Sequence, residues 1–448
     1  MTTIPGAHHR YSLADVAAFP KPLVWRHLLK MSALPQRPLR LALPCVGIDG
    51  CTHACAELGI PFQAVNVFDV EPGVQEPLSH HHGRQVAEQF HLGPVDGDVT
   101  KVAIKDLQLP VDGLCAGPPC PPWAGNGRKE CESDQRAAVF KTVLGWVLHF
   151  IKTGGLIFTV LENVKGISQK IGGQTSFMEK TLEDLRDTCP EFVWDVFTLS
   201  ARDYLLRQEI TRVFLVGVRR AFVPTVPRPA PAFGRTALEQ CLNSRLPCTS
   251  LDSLTMHMKK NMLDYGEQIA RDVADGKLAR DSVVACCADR AKGKVFRQTY
   301  TVGAVPTLTT SNKYLFLVNV AEVMDKVPMA QRTLFRWVHP LERLCFQGFN
   351  PDIGAHMPAK LIYKTTGNAY PVNLLAAILA PIVGEISRTG MLTRWVCGPI
   401  AKVRLAEARL RGSYKRGGVH EREGRLVRHK PACGEQAATR DSDSSDSE

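Results

Sequence analysis

Long apolar stretches are missing from this chain. None of its 448 residues belongs to an 18-residue run free of charged or polar breaks, and the nearest approach, Leu374 to Val383, is too short to span a bilayer. No membrane segment is therefore expected. Repeated cysteine spacing is missing as well. The 14 cysteines are scattered, which argues against a disulfide framework or structural zinc and favours free thiols in a reducing compartment. Pro5 and His8-His9 interrupt the place where an apolar targeting core would lie. Histidines gather at His80-His81-His82, with His91 nearby, but no cysteine or acid framework accompanies them. A solvated loop is expected there, and no required metal.

Acid is in deficit. Against 55 Lys and Arg stand 44 Asp and Glu, a net charge of +11. Such an excess attracts polyanions and releases their condensed counterions, so DNA or RNA is an expected partner. The length, at 44% hydrophobic residues, suffices for one large core and a smaller lobe.

Residues 1–40 form a basic extension with an amphipathic helix expected near Leu23 to Met31. Residues 41–222 then alternate in a way that predicts a doubly wound α/β sheet. A strand from Leu41 to Val46 ends in Gly47-Ile48-Asp49-Gly50, a helix from Thr52 to Leu58 stops at Gly59, and a strand from Phe62 to Phe68 ends at Asp69. A weaker cycle covers Val99 to Leu107. The strand Asp112 to Cys115 delivers Gly117-Pro118-Pro119-Cys120. Next come a helix from Gln135 to Ile151, a strand from Gly155 to Val160 with Glu162 just beyond it, and a helix from Phe177 to Thr188. Phe192 to Leu199 and Arg212 to Val218 read as a closing hairpin. Ligands of such a sheet sit outside the carboxyl ends of its strands.

Pro224, Pro227, Pro229 and Pro231 mark a boundary. Residues 223–330 read as a second, smaller domain with a helical region from Leu254 to Ala274. Residues 331–401 read as a closing segment that returns to the first domain, its helix Val372 to Ala380 ending at Pro381. Residues 402–448 are polar and end in an acid–serine string, a disordered tail that is either a phosphorylation target or a solubilising terminus.

A cysteine held by paired prolines at a strand end is either one more packed thiol or a placed nucleophile, and alone the pattern does not decide. Glu162-Asn163-Val164, Arg212 and Gly367-Asn368 follow it in order. Together these blocks resemble the cytosine-C5 DNA methyltransferase family. Further segments agree: Asp134-Gln135-Arg136, Thr307-Leu308-Thr309, Leu341-Glu342-Arg343-Leu344 and Gln347-Gly348-Phe349. The resemblance implies the mixed sheet of S-adenosylmethionine-dependent methyltransferases, with residues 223–330 as target-recognition domain. It implies a catalytic set of Cys120, Glu162 and Arg212, in which the thiolate adds to cytosine C6 while the carboxyl bonds to N3 and the 4-amino group. S-adenosyl-L-methionine would lie against Gly47, Ile48, Asp49, Gly50, Asp69, Val70, Asp98, Val99, Pro118, Asn368 and Ala369. Substrate would meet Pro119, Trp123, Gly127, Arg128, Gln208, Thr307 and Gln347, with the loop from Trp123 to Lys129 as the moving part.

The sequence also departs from the family pattern. Cys45 stands for a phenylalanine, Asp49 for the second glycine of the cofactor turn, and Pro121 for the polar neighbour of the nucleophile. In the Gln-x-Arg-x-Arg string Ile210 takes the middle position, and Arg207 replaces the usual proline before Gln208. The resemblance implies a stand-alone monomer that methylates a flipped-out cytosine in DNA, nuclear in a eukaryote and otherwise cytoplasmic. Two alternatives stay open: an RNA (tRNA) cytosine-C5 methyltransferase, and a catalytically weak regulatory homologue favoured by Ile210 and Pro121.

Overall fold

A computed structural model describes residues 10–21, 34–83, 90–124, 134–153, 155–170, 173–232, 238–289, 300–310, 314–328 and 331–390, with four residues of the tail. The expected helix near Leu23 to Met31, the loop residues Gly127 and Arg128, and nearly all of the tail lie outside these described residues. The chain divides into two units, 1–401 and 402–448. In the second, Glu421–Arg422 pairs antiparallel with Arg425–Leu426.

The first unit is organised by a seven-stranded sheet in the order β3-β2-β1-β4-β5-β8-β6. Its strands are β1 (Leu39–Pro44), β2 (Phe62–Asp69), β3 (Phe90–Leu92), β4 (Gly113–Ala116), β5 (Phe158–Val164), β6 (Phe192–Ser200) and β8 (Thr211–Arg219). β1 to β5 run parallel, and β8 lies antiparallel to both β5 and β6. The expected hairpin is therefore present and closes the sheet.

Alternation along the strands explains the layers. Leu39, Leu41 and Leu43 face one core, shared with α2 (Gly50–Leu58) and α10 (Val372–Arg388). Ala42 faces the other, shared with α4 (Ala137–Lys152) and α5 (Phe177–Thr188). Neighbouring strand residues point to opposite faces, so helices on both sides leave β1 almost wholly buried. α5 starts where expected because Ser176 and Glu179 form a reciprocal capping box.

Three expectations shift. β5 extends to Val164, so Glu162 lies inside the strand, opposite Phe214, rather than beyond its end. β3 is an additional edge strand, while Val99 to Leu107 holds only two short 3-10 turns. α10 continues through Pro381 to Arg388. An interior proline costs a helix about 3 kcal/mol. Beyond it Ile382, Val383 and Ile386 are at most 1% exposed, and burial of about 1.5–3 kcal/mol per side chain outweighs that cost.

The smaller lobe has its own four-stranded sheet, β10-β9-β12-β13, made of Thr301–Val302, Val283–Cys287, Leu315–Asn319 and Phe335–Trp337. Helix α6 (Met256–Ala274) covers one face through Met258, Met262, Tyr265 and Ile269. The lobe therefore runs past the expected boundary at 330, because its last strand is β13. It joins the large sheet's side of the unit where β11 (Val305–Pro306) pairs in parallel with β7 (Gln208–Glu209).

Candidate active site

β4 ends at Ala116, and the chain turns through Gly117 and the two prolines to Cys120. The amides of Trp123 and Ala124 both donate to the Cys120 carbonyl at 3.0 Å, closing a turn just after the thiol. From β5, Asn163 Nδ2 donates to the buried Pro118 carbonyl at 3.2 Å. This brace was not anticipated from the sequence, although the Glu-Asn-Val string contains it.

Glu162 precedes Asn163 on β5, and Arg212 on β8 pairs with Val164 in the ladder. Their side chains meet, with Arg212 Nε 2.7 Å from Glu162 Oε1 and about a tenth of each exposed. Burial raises the Glu162 carboxyl to about 7 even though Arg212 pulls it down. Burial also raises the Cys120 thiol, the Glu162 charge adds to that, and Arg212 opposes it. The crevice thus holds a protonated thiol beside a carboxyl that titrates near neutrality.

The cofactor turn lies at the carboxyl end of β1. Gly47 has φ +56°, and a Cβ there would meet nothing within 4 Å, so the turn borders open space. Its N–H donates to Asp69 Oδ2 at 2.8 Å, and Asp69 Oδ1 accepts from the Glu71 amide at 2.8 Å. Val70 is 56% exposed and offers an apolar side chain at the end of β2. Asp98, partly exposed, accepts from the Thr100 amide and hydroxyl. Ile48 and Val99 are buried, leaving their backbone as the available part. Asn368 is exposed at the end of α9 (Ala359–Asn368), and Ala369 is half-buried. An open glycine cradle, a strand-end carboxylate and an exposed apolar side chain suit an amino-acid nucleoside such as S-adenosylmethionine.

Tyr370 was not singled out by sequence, although it directly follows Gly367-Asn368-Ala369. A Cβ on Gly50 would come within 2.7 Å of its ring, and one on Gly117 within 2.9 Å. Only glycine at both positions lets the ring wedge between the cofactor turn and the thiol loop.

Several expected contacts are corrected. The Asp49 side chain turns into the protein, fully buried, where it accepts from the Thr52 amide at 2.9 Å and pairs with His82 Nε2 at 2.7 Å. The histidine run is not a solvated loop but the last turn of α3 (Gln75–His82). His81 stacks on His53 at 3.8 Å, and burial holds His81 down at about 4. Gln208 and Gln347 are both fully buried. Gln208 donates to the Phe346 carbonyl at 3.1 Å and accepts from the Leu308 amide at 3.1 Å, while Gln347 donates to the Thr366 carbonyl at 2.7 Å. Trp123 is also withdrawn, 5% exposed and packed against Phe140 and Phe177. The Thr307 hydroxyl donates to the Glu209 carbonyl at the joint between β11 and β7. Pro119 stays half-buried beside Cys120. Ile210 fits a small apolar cluster with Ala201 and Leu206, which explains why this position carries no charge.

Comparison with known proteins places these residues in a family. The model described as C-5 cytosine-specific DNA methylase matches residues 45–384. The type II methyltransferase M.NgoPII of Neisseria gonorrhoeae is 28% identical over 186 residues, covering 42% of this chain and 49% of that protein. M.HhaI of Haemophilus parahaemolyticus is 23% identical over 300 residues, covering 66% and 83%. The human tRNA (cytosine(38)-C(5))-methyltransferase is 24% identical over 250 residues, covering 56% of each. The alignments thus span about half the length of two of these three relatives. Among solved structures, the Dnmt2 methyltransferase of S. pombe is similar at 16% identity and a TM-score of 0.48, covering 77% of this chain and 98% of that one. A family match spanning most of the sheet, the thiol loop and the closing helix leaves one assignment: the chain belongs to the C-5 cytosine-specific DNA methylase family.

Proposed function

We propose that this chain methylates carbon 5 of a cytosine in a polynucleotide, using S-adenosylmethionine and a covalent link from Cys120 to C6. The contact of Glu162 with Arg212 beside the Cys120 thiol carries the proposal. Cytosine C5 is too weak a nucleophile to take a methyl group unaided. Once the Cys120 thiol has passed its proton to solvent, its sulfur forms a bond to C6, and the displaced electron pair moves towards N3 and C5. Negative charge grows at N3, where the protonated Glu162 carboxyl donates its hydrogen bond. Arg212 fixes the orientation of that carboxyl. Bound S-adenosylmethionine supplies an electrophilic methyl on a sulfonium sulfur. The Gly47–Gly50 backbone, Asp69, Val70 and Asp98 would hold it. Solvent water then takes the C5 proton, the released electron pair re-forms the C5–C6 double bond, and the C6–sulfur bond breaks to return the Cys120 thiolate and the aromatic ring.

For the polynucleotide, a folded RNA of the tRNA kind is placed first. The human relative is named for a tRNA cytosine. Opening a duplex also needs a group to fill the gap left by the flipped base. A cytosine already unstacked in an RNA loop makes no such demand. Duplex DNA is the second reading, and the family description supports it.

The test is transfer of labelled methyl from S-adenosylmethionine to tRNA and to duplex DNA, with Cys120→Ala beside the parent. Label in tRNA as 5-methylcytosine, abolished by the substitution, is the expected result. Label in DNA alone moves the function to the second reading. No label in either, with the cofactor bound, leaves a regulatory homologue.

A further inference from the structure

The cofactor turn carries an aspartate where the family pattern has glycine, and the backbone there still keeps a glycine-like shape. Asp49 has φ 57° and ψ 64°, a left-handed conformation that most side chains avoid and aspartate tolerates. Its carboxylate is fully buried, so it needs partners. Oδ1 caps α2 by accepting from the Thr52 amide at 2.9 Å. Oδ2 accepts from the Thr52 hydroxyl and from His82 Nε2, the latter at 2.7 Å. The His82 side chain is 2% exposed. His81 Nε2 lies 3.0 Å from the same Thr52 hydroxyl. The last turn of α3 is thereby tied to the first turn of α2, and the cradle is held at both ends. Asp69 fixes Gly47. Asp49 and His82 fix the entry to Gly50, whose face is closed by Tyr370.

We propose that His82 is a positioning residue for S-adenosylmethionine, acting through Asp49 to keep the Gly47–Gly50 backbone in its binding shape. This rests on the cofactor reading given above. His82 itself touches no cofactor; it supplies the buried hydrogen-bond donor that the Asp49 carboxylate requires. A histidine that merely filled space between α2 and α3 would act independently of residue 49. One acting through Asp49 loses its effect when that side chain is removed.

The test is a cycle of His82→Ala and Asp49→Gly in the full chain, reading the Kd for S-adenosylhomocysteine by calorimetry and the melting temperature alongside. His82→Ala alone is expected to weaken binding about tenfold, the scale of a lost hydrogen bond to a charged group. His82→Gln, which keeps a donor at similar reach, is expected to recover part of that loss. Asp49→Gly sets a new baseline, on which His82→Ala leaves Kd unchanged. Where His82→Ala does not fold, His82→Gln measured on both backgrounds gives the same comparison. An equal loss on both backgrounds, or no loss on the parent, overturns the proposal. A parent chain that binds no S-adenosylhomocysteine overturns the cofactor reading instead. In the labelled-methyl assay, the KM for the cofactor is expected to rise by a larger factor than kcat falls.

Discussion

Two buried glutamate–arginine pairs sit in different regions and are treated very differently by the fold. In the closing segment, Glu342 lies fully buried, and its two oxygens receive the Arg336 guanidinium at 2.7 and 2.9 Å. The amides of Asn243 and His339 add a hydrogen bond to each oxygen, both at 2.9 Å. In the crevice, Glu162 meets Arg212 through Nε, and among the described residues that guanidinium is its hydrogen-bond partner. The first carboxylate is fully satisfied and holds β13, α8 (Pro340–Phe346) and residue 243 together. The second retains the capacity to carry and share a proton, as its rise to about 7 shows. A buried ion pair organises structure when its oxygens are filled, and remains available for chemistry when they are not.

The largest effect is expected at Glu162. Glu162→Gln should lower turnover by about 10²–10⁴-fold, the usual contribution of a positioned acid. The parent should show a flat-topped pH profile. The active form pairs a Cys120 thiolate with a protonated Glu162, and the thiol titrates above the carboxyl. Turnover should therefore rise until about 7, level off as the two ionisations offset, and fall only where the thiol itself ionises. Glu162→Gln should keep rising until the thiol ionises and then level off without falling. Stability should respond as well. The carboxyl titrates at about 7 in the folded chain and near 4.5 when free, so the folded state binds the extra proton between those values. Stability therefore declines as pH rises across that window, and the glutamine variant should decline less in urea titrations. A parent profile that keeps rising without levelling near about 7 would remove Glu162 as the acid.

At the satisfied pair the loss should be of stability rather than chemistry. Glu342→Ala strands Arg336, whose side chain is 4% exposed, and should cost about 3–5 kcal/mol. Denaturant midpoints measure this. Whatever folded protein remains should keep the parent pH profile. An altered profile would mean that the two pairs are coupled and that the contrast between them is false.

Much of this was legible because it rests on local pattern. The alternation of strands and helices, the helix from Phe177 and the strand-end placement of Cys120 all follow from short-range rules. Side-chain direction was less legible. Gln208 and Gln347 are polar residues in motif positions, and nothing in their neighbourhood along the chain reveals that their amide nitrogens donate to the carbonyls of Phe346 and Thr366. Asp49 and His82 are distant in sequence, and only the packing of α3 against α2 brings them together. Pro381 misled for the opposite reason, since a local rule was overridden by burial of the residues beyond it.

The departure at Ile210 gives a smaller effect. Sequence alone suggests that arginine here would restore lost anchoring. The structure buries Ile210 to 1% exposure beside Ala201 and Leu206. Ile210→Arg should therefore destabilise by about 1–3 kcal/mol and leave turnover no higher than the parent's. Increased turnover at unchanged melting temperature would show that this side chain reaches the substrate.

The smallest effect tests whether an unsatisfied buried group always marks chemistry. The Trp123 indole Nε1 is buried and has no hydrogen-bond partner among the described residues, an orphan donor close in sequence to Cys120. Unlike Glu162, it has no charge to share, and its ring packs against Phe140 and Phe177. Trp123→Phe removes the orphan donor, a gain of about 1–3 kcal/mol. The smaller ring leaves a gap whose cost is of the same order. Stability should change by less than about 1 kcal/mol, and turnover by less than about threefold, as the two terms offset. A fall in turnover beyond tenfold at constant stability would return Trp123 to the substrate side and extend the rule from Glu162 to neutral groups. A null result confines that rule to groups that can exchange a proton, as Glu162 can.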